Sequence, residues 1–325
     1  MNRSRRQFIE LMAGGVALPA AIQSARAQDY PARPVRWTLG YTSGGTTDII
    51  SRLVTQPLSV RLGQPFVIEP RPGAGTNLAT DFVVRAQPDG YTLLFVGAPN
   101  AINASLYSNL PFDFVRDIAP VIGLASVPMV LIVHPSVPAT TVPEFLKYAK
   151  ANPKKINMAS SGIGTTPHLA GELFRMMTDL DIQHVPYRGA APAMTDLLAG
   201  QVQLYFATTP VSIEYIRSGQ LRGLAVTTTQ RLDALPELPT IAEFVPGYEA
   251  SAWYGVGAPR DTPKPIVEML NREMNAVLAD ASLKAKFDNL GCVPIGGSSA
   301  AFGKLIVEET EKWGKVVKFA GVQPN

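Results

Sequence analysis

The stretch at residues 156–178 reads INMASSGIGTTPHLAGELFRMMT and shows how the chain is built. Residues 156–160 are a short apolar run, which predicts a buried strand. A turn of serine, glycine and threonine follows, and residues 167–178 then repeat apolar side chains at helical spacing. Thr166 is the expected N-cap of this helix, and Pro167 takes its first position. The stretch is therefore a strand, a polar turn and a helix in succession.

The same succession recurs along the chain, which predicts an α/β architecture with mostly parallel sheets. Pro57 lies inside one helix and is expected to kink or break it. No linker marks a domain boundary, as expected if the chain crosses between two domains on strands. The predicted strands are 35–40, 66–69, 92–97, 127–134, 156–160, 182–187, 202–207, 221–226 and 253–258, and the predicted helices are 48–62, 77–86, 142–151, 167–178, 192–199, 210–217, 263–279 and 299–319.

Residues 1–27 have the features of an export signal. Their start is basic, with paired Arg5 and Arg6, and residues 11–22 are rich in apolar and small side chains. An Ala-x-Ala pattern ending at Ala27 fits a signal-peptidase site. The paired arginines favour a twin-arginine signal, with an ordinary Sec signal as the alternative. The mature protein is therefore expected in the periplasm.

The excess positive charge lies in this signal. The sequence has 29 Lys and Arg residues against 26 Asp and Glu residues, a net charge of +3. Residues 1–27 contain four arginines and one acid, so the rest of the chain is neutral. Its sequence has no basic cluster of the kind that binds nucleic acid or an anionic membrane surface. The single cysteine, Cys292, excludes an intramolecular disulfide.

Three turns that join a strand to a helix are rich in glycine, serine or threonine. A helix N-terminus offers unpaired N–H groups and a partial positive charge, which suits an anion. Glycine lets the backbone approach closely, and hydroxyl groups add donors. In open α/β sheets such turns lie at the carboxyl ends of strands, where ligands bind. The alternative for each turn is an ordinary capping role. The turns are 41–48, 160–168 and 187–192.

Enzyme signatures are absent from the sequence. There is no Gly-x-Ser-x-Gly nucleophile motif, no phosphate-binding loop and no complete dinucleotide fingerprint. His134 and His184 belong to apolar strands, which favours structural roles, whereas His168 either donates to an anionic ligand or packs near its helix start. No set of His, Asp and Glu residues has metal spacing, so no metal or other cofactor is expected.

An ordered set of short motifs runs over nearly the whole chain after the signal. The set resembles the substrate-binding receptors of tripartite tricarboxylate transporters, the Bug or TctC-like family. The motifs that carry this resemblance are Gly44-Gly45-x-x-Asp48 with Arg52, Arg71-Pro72-Gly73-Ala74-Gly75, Asp89-Gly90-Tyr91-Thr92, Ser161-Gly162-x-Gly164-Thr165 with His168, Val185-Pro186-Tyr187-Arg188-Gly189 and Asp196-Leu197-Leu198-x-Gly200.

The resemblance implies a type II periplasmic binding protein of the Venus-flytrap kind. In this fold two α/β domains are joined by two crossing strands and close over a ligand. Transferred to this chain, residues 1–27 are the signal, residues 28–126 with 252–325 form the first domain, and residues 127–251 form the second.

The resemblance also implies where the ligand binds. Similar proteins hold a carboxylate between the first-turn loop of one domain and the Ser-Gly-x-Gly-Thr loop of the other, partly through ordered waters. Asp48 has the alternative role of capping its helix, and Arg188 is either a cationic partner or a solvated loop residue. The implied ligand-binding residues are Tyr41, Ser43, Gly44, Gly45, Thr46, Asp48, Ser160, Ser161, Gly164, Thr165, His168 and, nearby, Tyr187.

Three functions compete at this point. The first is a monomeric periplasmic receptor that binds a small organic carboxylate, catalyses nothing and delivers its ligand to membrane transporter subunits. The second is a periplasmic hydrolase or transferase that uses Ser43 or Ser161. The third is a sensory binding protein that contacts a signalling partner. The resemblance favours the first.

We expect signal cleavage after Ala27, so that the mature protein begins at Gln28. N-terminal sequencing of the exported protein tests this, and functional exported protein that keeps Met1 would contradict it. Replacing Arg5 and Arg6 with lysine should block export by the twin-arginine route. Unimpaired export of that variant would leave the Sec alternative.

Overall fold

The protein is described by a computed structural model over residues 30–323. The predicted signal, residues 1–27, lies outside the described residues. The strands are β1 (Val35–Leu39), β2 (Phe66–Pro70), β3 (Thr92–Gly97), β4 (Ile118–Val133), β5 (Asn157–Ser160), β6 (Gln183–Pro186), β7 (Leu204–Thr208), β8 (Arg222–Val226), β9 (Ser251–Pro259) and β10 (Val293–Gly296). The helices are α1 (Thr46–Leu62), α2 (Asn77–Val84), α3 (Ala98–Leu106), α4 (Phe114–Asp117), α5 (Val142–Ala151), α6 (Thr166–Thr178), α7 (Ala190–Leu198), α8 (Thr209–Arg217), α9 (Lys264–Leu278), α10 (Ala281–Asn289) and α11 (Ser299–Ala320).

The strands follow the order β2-β1-β3-β9-β4-β7-β5-β6, and β8 and β10 also pair with β4. The predicted α/β alternation is confirmed, but the prediction of mostly parallel sheets is wrong. Only four of the nine strand pairs among residues 30–323 are parallel, namely β1 with β2 and β3, and β5 with β6 and β7. All five pairs that involve β4 or β9 are antiparallel.

β4 belongs to both halves of the molecule. Its 16 residues span about 50 Å at the usual rise of a strand. Residues 118–128 pair with β9, and residues 129–133 pair with β7. Two apolar clusters, which include Trp37 and Phe302, surround the first half of the sheet. Two further clusters, which include Phe174 and Tyr205, surround the second. Each half therefore has a core of its own.

Pro57 does not break its helix, so this part of the sequence expectation is wrong. α1 is one helix of 17 residues with Pro57 inside it. Leu58 is fully buried in the core, whereas Val60 is 84% exposed. The helix therefore keeps one apolar face on both sides of the proline, and packing offsets the loss of a backbone hydrogen bond.

The cap of α6 also differs from the sequence expectation. Thr165, not Thr166, is the N-cap, and its hydroxyl group donates to the carbonyl of Gly162 at 2.6 Å rather than accepting from the helix. Four elements of the structure, α3, α4, α10 and β10, have no counterpart in the sequence prediction.

The topology brings helix N-termini together. The helices α1, α3, α6, α7 and α8 follow strands β1, β3, β5, β6 and β7 respectively, and each begins near the carboxyl end of its strand. Three of these five turns belong to the second half of the molecule and two to the first. The turns therefore meet where the two halves face each other.

We expect Leu58→Ala to lower the free energy of unfolding by about 2–5 kcal/mol, because it leaves a cavity in the core. Val60→Ala, in the same helix, should change it by no more than about 0.5 kcal/mol. Urea unfolding followed by circular dichroism measures both. Equal destabilisation by the two substitutions would contradict the continuous helix through Pro57.

Candidate functional site

A small inner cavity of about 30 Å³ lies between the two halves of the molecule. The N-terminal turns of five helices line it: α1 through Thr46, α3 through Pro99, α6 through Thr166, α7 through Ala190 and α8 through Thr208. Each contributes the positive end of its dipole. The full lining is Tyr41, Gly45, Thr46, Thr47, Pro99, Ser161, Thr165, Thr166, Pro167, Ala190, Thr208 and Tyr254.

The inner cavity is lined by hydroxyl groups and apolar atoms together, and no charged side chain occurs among its described lining residues. The hydroxyl oxygen of Thr47 is buried without a hydrogen-bond partner there, and the residue is 5% exposed. An unpaired buried hydroxyl group is costly, so this oxygen is a candidate for contact with a bound group. Backbone N–H groups and hydroxyl groups are therefore the donors that the cavity offers.

Tyr41 and Tyr254 line the cavity, Tyr205 contacts its lining residue Ser161, and all three are neutral phenols. Burial raises the pKa of Tyr41 well above its usual value, with added repulsion from Tyr254 and Tyr205. Burial likewise raises the pKa of Tyr254, and it raises that of Tyr205 to about 12. The hydroxyl group of Tyr205 lies 2.7 Å from that of Ser161. Neutral phenols can donate hydrogen bonds to an anion and bring no negative charge of their own.

The turn before α1 is held by an acid that does not line the inner cavity. The N–H of Gly44 donates to Asp48 Oδ2 at 2.9 Å, and Arg52 Nε lies 3.0 Å from Asp48 Oδ1. Asp48 therefore organises the turn, which is the alternative role that the sequence left open. Ser43 and Gly44 are exposed and do not line the inner cavity.

The turn before α6 is held from the opposite side by buried polar groups. The N–H of Gly164 donates to His168 Nδ1 at 3.2 Å. Ser160 is fully buried, and its hydroxyl oxygen lies 3.1 Å from the N–H of Gly162, which donates to it. These residues shape the loop, whereas Ser161 and Thr165 are the ones that reach the cavity.

Two histidines stack beneath this loop, with ring centroids 3.9 Å apart. Burial lowers the pKa of His168 to about 3, with further effects from His184 and Arg175. Burial also lowers the pKa of His184 to about 4, with Arg175 adding to it. His184 Nε2 lies 2.6 Å from the hydroxyl oxygen of Ser160, and His168 Nε2 lies 3.7 Å from Glu172. Both rings are therefore neutral near neutral pH and support the loop.

Contacts across the cleft show that the two halves are closed. The hydroxyl groups of Thr46 and Thr208 form a short hydrogen bond. Thr42 Oγ1 donates to the carbonyl of Arg188 at 3.2 Å. A Cβ on Gly164 would lie only 2.6 Å from Leu106 Cδ2. The backbone at Gly164 therefore packs directly against a side chain of the other half, and a larger residue there would have to displace Leu106.

The residues that the sequence singled out fall into three groups. Tyr41, Gly45, Thr46, Ser161 and Thr165 line the inner cavity. Tyr187 lies with Tyr41 and Ser161 in a larger outer cavity of about 640 Å³. The remaining six do not line either cavity; they are Ser43, Gly44, Asp48, Ser160, Gly164 and His168.

Some lining residues were not expected from the sequence, among them Thr47, Pro99, Ala190, Thr208 and Tyr254. Residues 208–210 read Thr-Thr-Pro, as do residues 165–167, and both begin a helix. That repeat is a signal that could have identified Thr208. Tyr254 lies within β9 and carries no such signal. No group of three metal-binding side chains occurs among residues 30–323.

Comparison with known proteins decides the family. Residues 50–322 match the model of the tripartite tricarboxylate transporter family receptor, TctC. The chain belongs to this family. BugT of Bordetella pertussis is 34% identical to this receptor over 318 residues, which cover 97% of this chain and 96% of BugT. The resemblance seen in the sequence is therefore confirmed, and so is the general function of a solute-binding receptor.

Solved structures agree with this assignment. Rpa4515 of R. palustris, solved with adipate, superposes on this receptor with a TM-score of 0.88 at 41% identity, covering 91% of this chain and 100% of that one. MatC of Rhodopseudomonas palustris, solved with bound malate, gives a TM-score of 0.84 at 29% identity, covering 89% and 100%. The periplasmic binding protein BugD gives 0.87 at 34% identity, covering 90% and 99%. The predicted binding-protein fold is confirmed.

We expect the stability of the receptor to fall as the pH falls below about 6.5. Unfolded histidine has a pKa of about 6.5, so between that pH and about 3 the unfolded chain binds more protons than the folded one. His168 alone should lower the free energy of unfolding by about 2 kcal/mol between pH 7 and pH 5. Urea unfolding at about these two pH values measures the change. His168→Gln should reduce the difference by about the same amount, and an unchanged difference would contradict the assignment.

Proposed function

We propose that this receptor binds a small organic carboxylate, with one carboxylate group in the inner cavity, and delivers it in the periplasm to the membrane subunits of a tripartite tricarboxylate-type transporter. The observation that carries the proposal is the convergence of five helix N-termini on a cavity without a charged side chain. Such a site favours an anion and does not need a salt bridge.

The size of the inner cavity fits one end of a ligand. Its 30 Å³ exceeds the roughly 10–15 Å³ that a cavity needs to hold one water molecule, so a small polar group fits there. A terminal carboxylate group therefore enters, and the rest of the molecule extends into the outer cavity of about 640 Å³. Ligand sites in proteins usually have about 300–1,000 Å³. The carboxylates in the structures of Rpa4515 and MatC, adipate and malate, support this ligand class.

The cleft lacks the geometry of a hydrolase that uses Ser43 or Ser161, which supports a receptor that is not an enzyme. Ser43 is exposed, and the partner of Ser161 is the phenol of Tyr205, whose pKa is about 12. A phenol with that pKa is a weak activating partner at neutral pH. Ser160 does contact His184, but its side chain is fully buried and no substrate reaches it.

Closure links binding to delivery. We take residues 28–126 with 252–325 and residues 127–251 as the two domains, because β4 changes sheet partners after residue 128 and β9 begins at Ser251. The ligand then bridges the two domains of a monomeric receptor. The closed form signals to the membrane subunits that a ligand is bound. We propose that export with cleavage after Ala27 brings this receptor to the periplasm. Delivery to a signalling protein is the alternative, and the family match favours transport.

We expect carboxylates to stabilise protein that has been freed of ligand by unfolding and refolding. At about 100 times its dissociation constant, a ligand adds about 2.7 kcal/mol, which raises the melting temperature on the order of 5 °C. Mono-, di- and tricarboxylates, with sulfate and phosphate as controls, are screened by thermal shift and calorimetry. A response to sulfate or phosphate alone, or to none of them, contradicts the proposal.

Two glycine variants show whether the carboxylates of this screen bind in the cleft. Gly164→Ala places a Cβ 2.6 Å from Leu106 at a φ of +75°, whereas Gly219→Ala has a similar φ of +72° and nothing within 4 Å. Both strain the backbone, but only the first obstructs closure. Carboxylate affinity should fall by about tenfold or more in Gly164→Ala and stay near the parent in Gly219→Ala. Equal affinities in the two variants would place the ligand elsewhere.

A further inference from the structure

The cleft continues outward from the inner cavity. The outer cavity shares Tyr41 and Ser161 with it, so one ligand can occupy both. Its walls combine apolar side chains, such as Leu78 and Ile163, with the backbone of residues 73–76. A short carbon chain that extends from the inner cavity therefore has apolar contacts available in the outer cavity.

The charges that line the cleft are unbalanced. Among the described residues, Arg188 is the only charged side chain that lines either cavity. Nearby arginines already have acidic partners, since Arg52 pairs with Asp48 and Arg175 with Glu172. Arg188 has no such partner in the part of the chain that the structure describes. It is therefore available to a ligand.

The backbone that carries Arg188 is fixed from both domains. Its carbonyl accepts a hydrogen bond from Thr42 Oγ1, which lies across the cleft. Gly189 has a φ of +136°, and a Cβ there would lie 2.5 Å from the same hydroxyl oxygen. The hydroxyl group of Tyr187 donates to Asp196 at 2.7 Å. Closure therefore sets the position of Arg188 relative to the inner cavity.

These observations, together with the carboxylate site proposed above on which they rest, lead to one assignment. We propose that the outer cavity binds the second acidic group of a dicarboxylate, and that Arg188 is the residue that selects this group. Five helix N-termini hold the first carboxylate, and the guanidinium group meets the second at the mouth of the cleft. A guanidinium suits this role because its planar N–H groups match a carboxylate.

The same charges disfavour a ligand with an ammonium group. No acidic side chain among the described residues lines either cavity. Asp48 accepts from Gly44 and pairs with Arg52, and Asp196 accepts from Tyr187. An ammonium group would therefore lose its water without gaining a carboxylate partner. Glutarate should accordingly bind better than glutamate, which differs from it by that group.

The test compares each dicarboxylate with its own monoamide, which has the same length but one neutral end. Succinate, glutarate, adipate and suberate are measured by calorimetry against their monoamides on ligand-free receptor. The parent should bind at least one dicarboxylate about tenfold more tightly than its monoamide, the usual effect of a hydrogen bond to a charged group. Arg188→Gln should remove this preference and leave monoamide affinity within about twofold of the parent.

Arg217→Gln is the matched control, because Arg217 is a surface residue of the same domain that pairs with Glu214. It should keep the preference for the dicarboxylate. Because Arg188 is exposed, the preference should also shrink between low and physiological salt, whereas the affinity for the monoamide should change little.

The outcomes separate this inference from the function on which it rests. If the parent binds dicarboxylates and monoamides equally, Arg188 has no selective role, although the carboxylate receptor stands. If Arg188→Gln weakens both ligands equally, Arg188 acts on the shape of its loop and the inference is wrong. If Arg217→Gln removes the preference as well, the effect comes from net charge. If neither kind of ligand binds, the proposed function itself fails.

Discussion

The structure depends on the need of buried helix N-termini for hydrogen-bond acceptors. Five helices begin at the inner cavity, and the first N–H groups of each helix have no hydrogen-bond partner inside that helix. In an open cleft water satisfies them, but the closed cleft excludes most of that water. A closed cleft without an acceptor is therefore unfavourable, and an anion that fills the cavity removes the penalty. For the proposed site, we therefore expect binding and closure to be coupled.

Close approach of the two halves makes this arrangement possible, and small residues make the approach possible. Gly164 packs against α3, and Gly189 packs against Thr42, with no room for a side chain at either place. Thr46 and Thr208 then contact each other directly across the cleft. Larger residues at these points would hold the helix N-termini too far apart to share one ligand group.

A rigid layer behind the loops keeps the donors in place. Asp48 fixes the turn before α1, and His168 fixes the turn before α6 through the N–H of Gly164. Because burial lowers the pKa values of His168 and His184, this layer adds no positive charge near neutral pH. In the proposed site, selectivity at the inner cavity thus comes from dipoles and shape, and the only charged residue of the two cavities, among those described, lies in the outer one.

The sequence by itself determined the α/β alternation and the three glycine- and hydroxyl-rich turns, because these follow from local periodicity and from the preferences of helix starts. The sequence also identified the family, through motifs such as Ser161-Gly162-x-Gly164-Thr165. Only the tertiary structure decided that the central strands are antiparallel, that Pro57 sits in an unbroken helix, and that Thr208 and Tyr254 reach the inner cavity. It also separated residues whose groups line the cleft, such as Thr165, from those that support it, such as His168. The reason is physical: local sequence fixes which helix ends offer donors, but the pairing of β4 with β9 and the closure of the two halves fix which of them meet.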